Sequence, residues 1–235
     1  MKRSTLHYWC CVVLLSSLPA WTQVTLSAHV ELGDRRSAQR SGNVVLWLSP
    51  VVGHADFLPS AAQRPRLVQH NKSFEPHVLV VPVGSVVQFP NRDPFFHNVF
   101  SLFEGKRFDL GLYESGTTRN VSFDRPGISY IFCNIHAEMS AVVIALETPY
   151  FGISNRNGEI VIAHVPAGRY MMRTWYETAL MESLDAMARE ISVTENSSTL
   201  GVLEIPAATA ASAHKNKYGM DYEPPAPNSP AYEHP

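Results

Sequence analysis

The sequence predicts an all-β protein built from short strands stacked in sandwich layers. Two observations carry that expectation. Valine, aromatic and proline residues dominate, in short runs divided by Gly, Pro and Asn turn signals. Within 235 residues a single stretch, TALMESLDAMARE at 178–190, suits a short helix. Many brief strands at frequent turns describe a sandwich or a barrel. Apolar residues make up 45% of the chain, enough for a sizeable core, and the net charge of −2 argues against a nucleic-acid or acidic-membrane partner.

Taken in order, the chain opens on MKRSTLHYWCCVVLLSSLPAWTQ. Lys2 and Arg3, an apolar run from Tyr8 to Leu18 and the breaker Pro19 read as a secretory signal over 1–22. The run is too short to span a bilayer, so the mature chain is expected to be periplasmic or secreted, with no membrane insertion. VTLSAHVEL (24–32) and NVVLWLSPV (43–51) read as strands joined by a polar loop, and ADFLPSAAQRPRL (55–67) as a Pro/Ala-rich connection. HVLVVPVGSVVQFPN (77–91) holds two strands about Val83, Gly84 and Ser85. NVFSLF (98–103), TTRNVSF (117–123), ISYIFC (128–133) and AVVIALE (141–147) follow, with turn signals at Gly105, Gly116 and DRPG (124–127). Across 150–177, NRNG and VPAG are turns between strands, and EISVTENSSTLGVLEI (190–205) completes the pattern. From Ala207 the chain is polar and Ala/Pro-rich. It has too little to bury, so 207–235 is expected to be a disordered tail.

The chemistry lies in IFCNIHAEM (131–139). Cys10 and Cys11 fall inside the signal, which leaves Cys133 alone. In an oxidising compartment an odd thiol is buried, paired between chains or bound to metal. Alternation along ISYIFC turns Ile131 and Cys133 to one face and Tyr130 and Phe132 to the other. The strand ends at the cysteine, and the loop to AVVIALE is short enough to gather Cys133, His136 and Met139 round one point. A thiolate and an imidazole bind copper or zinc, and a thioether prefers copper. Two histidines and a cysteine in a plane, with a distant methionine, is the blue-copper arrangement, and it needs one more imidazole. His97, in FPNRDPFFHNVF (89–100), opens a strand after a Pro-containing loop and among aromatics. His29, His54, His70, His77 and His164 have no partners at ligand spacing and read as ordinary surface or strand residues.

With these residues in view, 65–148 resembles a whole cupredoxin, most nearly of the amicyanin type. The match runs from LVQHNKSFEPHVLVVPVGSVVQFPNRD, through FFHNV, to FDRPGISYIFCNIHAEM, and the C-x2-H-x2-M spacing is that type's short loop. The resemblance implies a Greek-key β-sandwich holding one type 1 copper. His97, Cys133 and His136 would be the strong ligands and Met139 the weak axial one, while Asn98 would tie its loop to the cysteine loop. It also implies that His136 reaches the surface as an electron port. Phe132, on the other side of the strand, either offers a second exit or packs against a neighbour. Phe95, Phe96, Ile135 and Ala137 are the expected apolar surroundings. Multicopper oxidases place a histidine on each side of the cysteine, where this chain has Phe132 and Asn134. No oxygen-reducing cluster, and no enzyme activity, is therefore expected.

GEIVIAHVPAGRYMMRTWYE (158–177) resembles the carboxypeptidase regulatory-like, transthyretin-related sandwich, with Ile160 at a usually aromatic position. Such a module begins with a strand pair like that at 24–51. The expected organisation is therefore nested: 23–55 and 149–206 form a second small β-sandwich, split by the cupredoxin at 65–148. Its rival is two unrelated segments packed side by side. The function expected is an exported carrier of single electrons between redox proteins, such as a donor dehydrogenase and a cytochrome or oxidase. Non-redox copper storage or delivery is the alternative. A metal-free adhesion module needs no such ligand set, and a Cys–His hydrolase needs an orienting acid, of which the sequence offers no obvious candidate, with Cys133 at a strand end rather than a helix N-terminus.

Overall fold

The computed structural model describes residues 22–33, 42–60, 64–102, 105–206 and 214–222. The expected signal, but for Thr22, lies outside the described residues, as does most of the expected tail. In chain order the flanking strands β1 (Gln23–Leu32) and β2 (Val45–Pro50) come first. The central block holds β3 (Val68–His70), β4 (Ser73–Glu75), β5 (Val78–Pro82), β6 (Ser85–Pro90), β7 (His97–Ser101), β8 (Phe108–Tyr113), β9 (Thr118–Phe123), β10 (Gly127–Cys133) and β11 (Ser140–Leu146). After it come β12 (Phe151–Ile153), β13 (Glu159–Pro166), β14 (Gly168–Trp175), the short helix α1 (Met181–Ala186), β15 (Arg189–Val193) and β16 (Thr199–Ile205).

Burial alternates along β1, with Leu26, Ala28 and Val30 inward, as a strand with one wet face requires. β1 pairs antiparallel with β13 and parallel with β16. β2 pairs with β12 and β14, and β14 with β15. Strands from before and after the central block thus share two sheets, ordered β13-β1-β16 and β12-β2-β14-β15. The central block makes a five-stranded sheet, β5-β11-β10-β7-β8, a β6-β9 ribbon and a β3-β4 hairpin.

β11 explains how these layers meet. SAVVIAL is apolar without alternation, and every residue after Ser140 is buried. Ala141, Val143 and Ala145 pack with Val87, Phe89, Val121 and Phe123 of the β6-β9 ribbon. Val142, Ile144 and Leu146 point the other way, into a cluster with Leu46, Leu48, Tyr170 and Trp175 of the neighbouring sheet. A strand covered on both faces needs apolar residues at every position. The indole N–H of Trp175 also donates to the Tyr130 hydroxyl at 3.3 Å across the same boundary.

Two features, β8 and the β3-β4 hairpin, fall where no strand is expected, and the helix falls where a helix is expected. β8 lies between the strands expected at 98–103 and 117–123, where Asp109 and Gly111 interrupt the strand pattern. Gly111 takes a φ of 67°, and the β7–β8 register shifts between Asn98 and Phe100, so the interruption is accommodated as an irregularity in the ladder. The β3-β4 hairpin turns through Asn71 and Lys72, both at positive φ, between the connection expected at 55–67 and the strands expected at 77–91. The short helix expected within 178–190 spans 181–186.

Candidate metal centre

Two sequence features bring the donors together. β10 ends at Cys133, and its register against β7 sets Cys133 opposite Val99, close to His97 at the start of that strand. The loop 134–139 then folds back. Cys133 N–H donates to the Met139 carbonyl at 3.2 Å, and Met139 N–H donates to the His136 carbonyl at 3.1 Å. Cys133 Sγ lies 3.6 Å from His97 Nδ1 and 3.5 Å from His136 Nδ1. All three donor atoms fall within 4.8 Å of one another, so the group could hold a metal ion. Bonds of about 2.3 Å to sulfur and about 2.0 Å to nitrogen, at angles near 110–120°, separate such donors by roughly 3.6 Å. The observed spacings match that figure.

Burial tunes the donors. Cys133 and His97 are 0% exposed and His136 is 4% exposed. Desolvation depresses both imidazoles, that of His136 to about 4, with the neighbouring His97 acting in the same direction. Neutral imidazole is the form that ligates. Burial pushes the Cys133 thiol up, while the backbone N–H groups of Ile135, Asn98 and His136 face the sulfur and favour the thiolate. Phe95 stands with its ring centroid 5.3 Å from that of His97 and 5.5 Å from that of His136. Met139 is 0% exposed and packs in the same apolar cluster as Cys133.

Sequence reasoning missed Asp93, which corrects the expectation that no acid orients a histidine beside Cys133. His97 Nε2 donates to Asp93 Oδ2 at 2.9 Å, which leaves Nδ1 with its lone pair toward the sulfur. Burial alone would raise the Asp93 carboxyl. The Lys72 N–H, the His97 ring and the Asn71 N–H together outweigh it and hold the group below the usual carboxylate range. Asn91 fixes the turn: its Oδ1 accepts from Asp93 N–H and its Nδ2 donates to the Phe95 carbonyl. The available signal was a carboxylate four residues before His97 in a Pro-containing loop, held by the β3-β4 turn that the sequence reading also missed.

Other expected roles are placed differently. Asn98 does link the two loops, through its carbonyl, which accepts from Asn134 N–H at 2.8 Å; its side chain instead donates to Asp109 Oδ1 at 2.6 Å. His136, expected at the surface, lies beneath it, and Phe132 is 8% exposed and stacked under His214, with ring centroids 4.2 Å apart. The packing reading of Phe132 therefore describes its position, and the cover comes from the stretch expected to be disordered. Of the expected apolar surroundings, Phe95 and Ile135 pack at the site, whereas Phe96 and Ala137 are exposed. His77, read as an ordinary residue, bridges Ser140 O at 3.1 Å and Glu177 Oε2 at 2.6 Å.

No family model and no curated protein matches the chain. Among solved structures it is similar to a purple cupredoxin from Nitrosopumilus maritimus, at 21% identity over 35% of this chain and 99% of that one, with a TM-score of 0.32. It is similar to a variant of amicyanin in its reduced Cu(I) form, at 20% identity over 37% of this chain and 86% of that one, with a TM-score of 0.34. A copper-containing nitrite reductase from Thermus scotoductus SA-01 is 23% identical over 51% of this chain and 28% of that one, with a TM-score of 0.35.

Proposed function

We propose that the chain is an exported one-electron carrier holding a single type 1 copper at His97 Nδ1, Cys133 Sγ and His136 Nδ1, with the Met139 thioether as a weak axial ligand. The observation that carries this reading is the triad of buried donors at about the spacing one ion requires. Bound there, copper would supply a couple between its two oxidation states. This donor set, two imidazoles and a thiolate beside a buried thioether, selects copper over harder ions.

The chain's own residues do the rest. Desolvation keeps both imidazoles neutral and ready. Asp93 fixes the tautomer and ring angle of His97. The Asn98–Asn134 backbone bond holds the two ligand-bearing loops at one separation, so little moves when charge arrives. Phe95 and the surrounding core exclude water. The depth of the donors opposes the delivery reading, because an ion handed to a partner needs an open coordination face.

The partner is a redox protein such as a dehydrogenase, cytochrome or oxidase. Residues 23–55 and 149–206 are read as one sandwich into which 65–148 is inserted, supported by the β1–β13, β1–β16 and β2–β14 pairings. Export rests on Lys2, Arg3 and the apolar run that follows. No helix among the described residues is long and apolar enough to cross a membrane. The test adds copper(II) to the purified chain and records its visible spectrum. An intense thiolate-to-copper band, bleached by reductant and absent in Cys133→Ser, is expected. Copper bound without that band overturns the proposal.

A further inference from the structure

The segment 214–222 lies on the cysteine loop, and its contacts close a circuit. Asn134 N–H donates to the Asn98 carbonyl at 2.8 Å. Asn98 Nδ2 donates to Asp109 Oδ1 at 2.6 Å. Lys217 Nζ donates to the other oxygen of Asp109 at 2.8 Å, and Lys217 N–H donates to Asn134 Oδ1 at 2.9 Å. Four hydrogen bonds thus run from the His97 strand through β8 and the C-terminal segment to the Cys133 loop and back. Two further contacts lie beside the circuit. The Tyr222 hydroxyl donates to the Cys133 carbonyl at 2.7 Å, and His214 stacks on Phe132.

We infer that residues 214–222 are a clasp belonging to the metal centre, with Lys217 and Tyr222 as positioning residues that hold its two ligand-bearing loops together and set its reduction potential. The inference rests on the copper reading for the potential alone; the holding role belongs to the metal-free chain.

Three effects of the clasp act in one direction. It covers Phe132 and the Cys133 carbonyl, removing solvent that would favour the higher charge of copper(II). Lys217 places a cation on this face, paired with Asp109. A hydroxyl donating to the Cys133 carbonyl draws electron density from the residue that supplies the thiolate. Each favours copper(I), so losing them lowers the potential.

The experiment uses the full chain and the variants Lys217→Met, Lys217→Arg and Tyr222→Phe. Hydrogen exchange on the metal-free protein follows the amides of Lys217, Asn134 and residues 218–222. Protection is expected in the parent and in Lys217→Arg, and at least tenfold faster exchange of 218–222 in the combined Lys217→Met, Tyr222→Phe chain. Redox titration of the copper-loaded chains should show the combined variant lower by a tenfold change in the ratio of copper(I) to copper(II) affinity, about 59 mV for one electron, with Lys217→Arg close to the parent. If 214–222 exchanges in the parent as freely as an unstructured peptide, or the combined variant matches the parent in exchange, the clasp is refuted. An unchanged potential with altered exchange refutes the tuning role. A chain that takes up no copper but shows the expected exchange overturns the copper reading and leaves the clasp standing.

Discussion

Replacing Asp93 with asparagine removes one negative charge behind a ligand while keeping its shape. A metal–nitrogen bond of about 2.0 Å, the width of the imidazole and the 2.9 Å from His97 Nε2 to Asp93 would put the carboxylate about 7 Å from an ion held at His97 Nδ1. At that distance and an effective dielectric near 20, one unit of charge is worth about 2.4 kcal/mol. Asp93 is 3% exposed, so solvent screens this little. With copper held there, the carboxylate would favour the more positive copper(II) form by that amount. Its loss should raise the reduction potential by about 100 mV, taking 1.36 kcal/mol as about 59 mV for one electron. The metal-free fold should also weaken. Asp93 accepts from His97 and from the N–H groups of Asn71 and Lys72. A carboxamide must turn its NH2 toward at least one of these donors, at a cost of about 1.5–3 kcal/mol. Redox titration of copper-loaded Asp93→Asn and denaturant unfolding of the metal-free chain measure the two effects. A potential that falls, or rises by less than about 20 mV against the ~100 mV expected, would refute an ionised carboxylate coupled to the centre.

Three further outcomes are expected. Ile144→Ala, at a site 1% exposed between two sheets, should cost about 2–5 kcal/mol and leave a single unfolding transition by both far-ultraviolet and tryptophan signals; two separated transitions would show that the layers unfold independently. In the folded chain His77 sits above its ordinary value, chiefly through its hydrogen bond to Glu177 and against its burial. A raised histidine stabilises the fold below its unfolded value of about 6.5 and stops doing so as pH climbs through the folded one. Glu177→Gln should therefore lower the melting temperature most near about pH 5.5 and least at alkaline pH, and a deficit that grows with pH would contradict this. Finally, copper at about a hundred times its dissociation constant should stabilise the chain by about 2.7 kcal/mol, and a chelator should reverse the rise in melting temperature.

What could be read from the sequence was what local geometry encodes. Cys133, His136 and Met139 stand within seven residues on one loop, and the convergence of Cys133 and His136 follows from its shortness. His97 needed the loop and aromatic context around it, and β7 pairing with β10 brings it to the sulfur. Asp93 was not legible because its orientation depends on backbone N–H groups of Asn71 and Lys72, some twenty residues away in a turn with no pattern of its own. β8 was hidden by Asp109 and Gly111, two residues that weaken strands in general and here serve the ladder's irregularity and the link to Lys217. The C-terminal segment was judged by composition, and its contacts are hydrogen bonds and one ring stack rather than a buried apolar face. His77 gave no signal because Glu177 is 100 residues distant in the chain.

The doubly covered β11 makes the stretch 65–148 a poor candidate for transplantation. Severed at 65 and 148, it would carry Val142, Ile144 and Leu146 into water as a ready-made sticky stripe beside Tyr130. In a free-standing domain that face would have to be polar. Here the β12-β2-β14-β15 sheet serves as its permanent lining, so the two faces can drift apart in sequence only where they do not touch.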